Sequence, residues 1–183
     1  MVKISNIAEA VSLKADSSEL EYVMASVKKT NAARTLDKLG IPYELNSYPV
    51  DVDDLSATHV AESMGVDPSC VFKTLVTRGH PNGIALAVLP GNAELDLKKL
   101  AAVFHDKSAE MVPLKEVLPL TGYIRGGCSP VGTKKAYPVC IDESAVLFDK
   151  IYVSAGQRGL QFVIAPDDLA KAVDAVFADI VMS

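Results

Sequence analysis

The chain is poor in the residues that usually carry nucleophilic or metal chemistry. Of its 183 residues only three are histidine and three are cysteine. Cys70, Cys128 and Cys140 are odd in number and show no CxxC spacing, which argues against a disulfide framework and against a zinc site. The plain expectation is three reduced, mostly buried thiols. No GxGxxG follows a strand, and GxxxxGK[ST], HExxH and GxSxG are absent. Dinucleotide, P-loop, zincin and nucleophile-elbow chemistry therefore lack their signatures. No apolar run approaches the roughly 20 residues of a membrane helix. MVKISNIAEAVSLK lacks the long apolar stretch and cleavage site of a secretory signal. A cytoplasmic protein with no cofactor, metal or membrane partner is expected.

Hydrophobic residues make up 49% of the chain and charged residues 22%, the balance of an ordinary soluble domain. The net charge of −5 argues against tight binding along nucleic acid, but its distribution is uneven. Residues 1–28 carry three lysines against four acids, and residues 166–183 one lysine against four aspartates. The middle of the chain is nearly neutral, and residues 121–135 hold Arg125, Lys134 and Lys135 with no acid. Such a patch suits brief contact with the end of an RNA.

Residues 1–28 read as a helical extension, with Ser17 or Ser18 as cap and Glu21 completing a capping box with Ser18. The body, 29–183, reads as one domain. Thr30 can cap a helix over 31–39, closed by Gly40. A strand is expected over 41–49, and Ser56 starts a helix ending at Met64-Gly65. VFKTLVTR (71–78) and GIALAVLP (83–90) form a hairpin across Gly79–Asn82. Leu97, Leu100, Ala101 and Phe104 share one helical face. A short strand near 109–112 precedes a helical turn after Pro113. GYIRGGCSPVG reads as strand then loop, and YPVCI, 150–154 and 159–165 as strands. Pro166 opens a last helix with a buried stripe of Leu169, Val173, Val176, Phe177 and Ile180. The irregular interleaving disfavours a doubly wound parallel sheet. It favours an α+β domain, with a mixed, mostly antiparallel sheet curled and partly covered by helices.

Three places could carry chemistry. Lys73 sits mid-strand between bulky apolar residues, which is either an edge-strand lysine or a functional one. The loop Gly126-Gly127-Cys128-Ser129-Pro130-Val131-Gly132 permits positive φ, so its N–H groups can hold an oxygen; an ordinary turn is the alternative. Arg158, in a glycine-flanked loop, could bind a carboxylate or phosphate, or simply face solvent. His59, His80 and His105 read as surface residues. Cys128 has no histidine near it in sequence to act as its base.

In order along the chain stand KTNAARTLDKLGIPYEL, VFKTLV, LPGNAELDLKKLA, GYIRGGCSPVGTKK and IYVSAGQRGLQFVIAPDDLAK. Over residues 29 to 180 this series resembles the YbaK/EbsC family, free-standing counterparts of an editing domain within some prolyl-tRNA synthetases. The resemblance implies a partly open barrel-like sheet, and removal of a wrong amino acid from mischarged tRNA. Cys-tRNA(Pro) is the chief substrate it implies and Cys-tRNA(Cys) a further one, with action beside prolyl-tRNA synthetase. It implies that Lys73 is essential and that Gly126 to Pro130 are the family's GxxxP loop. It places Tyr48, Thr74, Gly127, Ser129, Ser154 and Arg158 at the substrate. The substrate's own thiol would then be the nucleophile, so no catalytic triad is required. Two departures stand out: Gln161 replaces a frequent acid, and Cys128 replaces an ordinarily aliphatic residue. The other readings are an Ala-tRNA(Pro) or Ser-tRNA deacylase using water, and a non-catalytic module that binds RNA or an amino acid.

Overall fold

A computed structural model of the chain describes residues 29–182; the helix expected within 1–28 lies outside them. Helix α1 (Asn31–Leu39) begins where Thr30 accepts a hydrogen bond from Ala33 N–H at 3.1 Å and ends at Gly40, φ 68°. Strand β1 (Glu44–Ser47) follows, then α2 (Ala57–Met64), capped by Ser56 and closed by Gly65 at φ 66°. Both glycines stand where a Cβ would strain the left-handed turn. After a 3₁₀ turn come β2 (Val71–His80) and β3 (Gly83–Pro90), a hairpin paired from Phe72↔Pro90 to Gly79↔Gly83. Asp96 caps α3 (Leu97–Val103) through bonds from the Lys98 and Lys99 amides. Then follow β4 (Ser108–Met111), α4 (Leu114–Thr121), β5 (Val139–Asp142), β6 (Ile151–Ser154), β7 (Leu160–Ile164), α5 (Pro166–Val173) and β8 (Val176–Ala178).

The strands form one open mixed sheet in the order β1-β7-β6-β2-β3-β5-β8, with β4 added beside β2. Antiparallel pairings join β1 to β7, β2 to β3 and β4, and β6 to β7; β2–β6, β3–β5 and β5–β8 are parallel. The main core gathers Phe72, Val88, Ile141, Val153 and Phe162 from five strands with Leu36 of α1 and Leu169 of α5. Phe162 is fully buried, and Tyr43 meets its ring edge-on at 5.0 Å. Burial on that scale stabilises the fold by roughly 1.5–3 kcal/mol per large apolar side chain. No helix among the described residues is long and apolar enough to cross a membrane.

Two local expectations are corrected. Residues 122–125 form no strand; they are irregular chain after α4. The last helix stops at Val173, where Asp174 turns to φ 52°. Val176 and Phe177 then continue as β8 beside β5. Val176 is exposed, whereas Ile180 is buried in a second cluster with Leu89 and Leu100. Apolar spacing alone could not separate a helix from a helix followed by a short parallel strand.

Candidate active site

Strand β2 is the sheet's junction. Along one edge it pairs continuously with β3. Along the other it pairs with β6 only at Val71 and Phe72, and with β4 only from Thr77 to His80. Between those two neighbours the sheet is split. Two hydrogen bonds fix which way the main chain points there. Gly91 N–H donates to the Val71 carbonyl at 2.7 Å on the β3 side, and Val112 N–H donates to the Val76 carbonyl at 3.0 Å on the β4 side. Peptide groups alternate along a strand. Thr74 N–H and C=O therefore face the split.

A cleft of about 490 Å³ occupies this opening. Its lining includes Lys73 and Thr74 of β2, Ser154 at the end of β6, Tyr48 after β1, and Gly126 and Cys128 of the glycine-rich loop. The volume lies in the range of small-molecule sites. Five of the nine site residues implied by the sequence resemblance line this opening, Tyr48, Lys73, Thr74, Gly126 and Ser154, and Gly127, Ser129 and Pro130 follow on its bordering loop.

Lys73 is half-buried. Its ammonium donates to the carbonyls of Gly91, at 3.0 Å, and Ala93, at 2.6 Å. Those carbonyls belong to the PGNAE turn after β3, so the turn fixes the long side chain. An ammonium has three donors, which leaves one N–H for a ligand. Burial pushes the Lys73 pKa below the usual lysine value, and the Glu94 charge partly opposes this. A desolvated cation with a spare donor is suited to holding an anionic or carbonyl oxygen.

Two buried side-chain atoms among the described residues lack a hydrogen-bond partner, Thr74 Oγ1 and Gln161 Oε1. Both residues line the cleft. Gln161 is only 5% exposed. Buried polar atoms are nearly always paired, so two orphans in residues lining one opening leave hydrogen-bonding capacity there for a ligand or water.

The glycine loop is built by close approach. Gly126 has φ 80°, and a Cβ on Gly127 would lie 3.0 Å from Arg158 N and 3.1 Å from the Gln157 main chain. Arg158 Nε donates to the Arg125 carbonyl at 2.9 Å. Arg158 therefore clamps the 155–159 turn to the loop and is not among the cleft-lining residues. Ser129 is fully buried and accepts from Val131 N–H at 3.2 Å; Pro130 is buried too. Gly127, Ser129, Pro130 and Arg158 shape the wall from behind. Ser154 Oγ accepts from Gly156 N–H at 3.3 Å, which closes the turn after β6.

Cys128 reaches the cleft, but burial pushes its thiol up to about 11, with the nearby Thr121 hydroxyl only partly opposing this. None of the three histidines lines the cleft. His59 lies beside Asp51 and Asp54, at 3.6 and 4.0 Å, on the outer side of α2. No group of three or more His, Cys, Asp or Glu among the described residues could hold a metal. Arg125, read in the sequence only as part of a positive patch, also lines the opening, together with the apolar residues Leu55, Val112 and Val117, which sequence reasoning missed. Arg125 stood in the acid-free stretch of residues 121–135, the one signal that pointed to it.

The open split sheet and its cleft place the chain in an α+β class with known members. The crystal structure of a protein proposed as a trans-editing enzyme for prolyl tRNA synthetase superposes with TM-score 0.75 at 24% identity, covering 84% of this chain and 96% of that one. The hypothetical protein APE2540 gives TM-score 0.76 at 23% identity, over 84% and 100% of the two chains. At that identity the likeness establishes the fold. The chain belongs to the aminoacyl-tRNA editing domain family, whose model matches residues 53–172. It is 46% identical over 153 residues to EbsC of Enterococcus faecalis, whose name proposes it as a Cys-tRNA(Pro)/Cys-tRNA(Cys) deacylase; the match spans 84% of this chain and 93% of EbsC. It is also 33% identical over 131 residues to the proline–tRNA ligase of Thermosipho africanus, covering 72% of this chain and 21% of the ligase.

Proposed function

We infer that this chain is a trans-editing deacylase that removes a wrong amino acid from mischarged tRNA, with Cys-tRNA(Pro) the foremost substrate and Cys-tRNA(Cys) a second. One observation carries the reading: a member of the editing family has a cleft that offers binding groups and orphaned acceptors but no activated protein nucleophile. Lys73 anchors an oxygen of the terminal adenosine or its phosphate with its remaining N–H. Gly126 and its loop border the ester, and Tyr48 and Ser154 close the sides. Thr74 Oγ1 and Gln161 Oε1 accept from the substrate's ammonium, a donor-rich group small enough to reach both.

Chemistry then comes from the substrate. The cysteinyl thiol gives its proton to water, its sulfur attacks its own ester carbonyl, the new C–S bond forms, and the bond to the ribose oxygen breaks. That oxygen takes a proton from water, and the thiolactone is later hydrolysed. Holding the two groups in contact supplies the entropic advantage of an intramolecular reaction. A small pocket discriminates alanine or serine from cysteine by size only about 10–200-fold. A requirement for the thiol adds chemical selection that binding cannot give. The protein works in the cytoplasm, where charged tRNA is found, and prolyl-tRNA synthetase is the partner that supplies tRNA choice.

The deciding experiment is a deacylation panel of Cys-, Ala-, Ser- and Pro-tRNA(Pro), with and without the synthetase. Fast release from Cys-tRNA(Pro) that stops when the substrate thiol is alkylated supports the scheme. Comparable turnover of Ala- or Ser-tRNA replaces it with water attack. No turnover of any substrate at high enzyme concentration leaves a binding module.

A further inference from the structure

The loop that borders the cleft has a second neighbour. Gly122, Tyr123, Gly132, Thr133 and Lys134 line a groove of about 650 Å³ whose other wall is α1. The wall contributes Arg34 and Lys38, and no carboxylate is among the lining residues. A chain of net charge −5 thus presents three cations in one depression.

None of the three is neutralised by an ion pair among the described residues. Arg34 donates to the Lys29 carbonyl and the Asn31 side-chain oxygen, at 2.7 and 2.5 Å, which are neutral acceptors. Its fork has five donors, so several remain. Lys134 Nζ rests 3.3 Å from the Pro119 carbonyl, and its stem crosses Gly122, where a Cβ would come within 3.3 Å of Lys134 Cγ. Lys38 is exposed in the last turn of α1. The nearby acid Asp37 is already bound to Lys29 at 2.6 Å and to the Tyr43 hydroxyl at 2.9 Å. The groove is also tied to the cleft. Gly132 packs on α1, where a Cβ would lie 2.9 Å from Ala32 N, and the Tyr123 hydroxyl donates to the Val131 and Gly132 carbonyls. One loop therefore joins the cleft, at Arg125, Gly126 and Cys128, to the groove, at Gly132 and Lys134.

We propose that the Arg34–Lys38–Lys134 groove binds the phosphate backbone of the RNA acceptor stem while the aminoacylated end lies in the cleft. This rests on the deacylase reading and extends it to a surface outside the cleft. Uncompensated cations gathered in one groove fit a polyanion, and each phosphate neutralised releases counterions. Binding should therefore be strongly salt-dependent even though the chain is acidic.

The test measures fluorescence anisotropy of an uncharged acceptor-stem hairpin ending in CCA, with the full chain, over a salt series. The triple variant R34A/K38A/K134A is expected to bind at least about ten-fold more weakly, with a salt slope shallower by about 2–3. Deacylation of an aminoacylated CCA trinucleotide should be unchanged. Lys38→Glu, at an exposed position with no hydrogen bond of its own, should weaken hairpin binding alone and serves if the triple variant unfolds. Unchanged affinity and slope in the variants would overturn the proposal, as would equal losses on hairpin and trinucleotide. Displacement of the hairpin by polyglutamate as readily as by RNA of equal charge would overturn the RNA assignment. If the wild type deacylates nothing, the activity reading fails while the binding arm still decides the groove.

Discussion

The two edges of β2 show opposite treatment of polar groups. On the β3 side every rung is filled, and Thr77, 1% exposed, donates its hydroxyl to the Ala85 carbonyl at 3.0 Å. Further along that side, Asp142 of β5 is 2% exposed, yet its carboxylate accepts from the Ser144 and Ile180 amides. On the split side Thr74 Oγ1 and Gln161 Oε1, both in residues that line the cleft, have no hydrogen-bond partner. Polar burial is settled within the protein where the sheet is scaffold. Where the sheet opens, Thr74 and Gln161 leave it unsettled.

The sharpest test of the contrast is Lys73→Ala. It removes the cation that the Gly91 and Ala93 carbonyls hold at the opening, and kcat/KM for Cys-tRNA(Pro) should fall on the order of 10²–10³-fold with circular dichroism unchanged. Retained activity would break the assignment of the split edge as the site. On the scaffold side, Asp142→Ala leaves the buried Ile180 amide without its acceptor. Denaturant titration should show a loss on the order of 3 kcal/mol. A loss no larger than that of a surface substitution would mean that this end of the sheet is not held by polar pairing.

Thr74→Val and Thr77→Val compare the edges within one strand. Thr77→Val should cost about 1 kcal/mol because it ends a buried hydrogen bond. Thr74→Val should be neutral or slightly stabilising, because it removes a hydroxyl with no partner, and should raise KM. Equal destabilisation by both would erase the distinction. The smallest effect is expected of Cys128→Ala. The substrate thiol titrates near ~8.5, so the rate should rise with pH through that value in wild type and variant alike. Cys128, at about 11, lies above this range. Its raised value contributes stability that is full below the ordinary thiol pKa and is lost as pH rises towards 11, so the variant should lose less stability in alkali. A rate that rises only in wild type would assign Cys128 the nucleophile's role.

Much of this was legible in the sequence, for local reasons. Thr30 with Gly40, and Ser56 with Gly65, bracket helices because caps act within one turn. The β2–β3 hairpin followed from alternation and its turn residues. What could not be read is non-local. The parallel rungs between β2 and β6, and between β5 and β8, depend on segments far apart in sequence. Hence Val176 and Phe177 were expected on a helix. The same limit applied to the site. The motif residues were visible, but the division between lining and support was not. Arg158 looks like a ligand-binding arginine in sequence, and only the contact between two loops shows its bond to Arg125. Gln161 was noticeable as a departure from a pattern, and its orphaned oxygen required the fold.

The turn Ala155–Gly159 describes one short event, the end of β6. Its pairing with β2 runs Val71↔Tyr152 and Phe72↔Val153, and two more rungs in that register would set Ala155 against Thr74. Instead Gly156, at φ 93°, swings the chain away into β7. The cleft is thus punctuation: it lies where the pairing of β6 with β2 stops two rungs short of Thr74. Its position is inherited from a turn rather than from any reactive side chain, so the groups around the opening could be exchanged without relocating it.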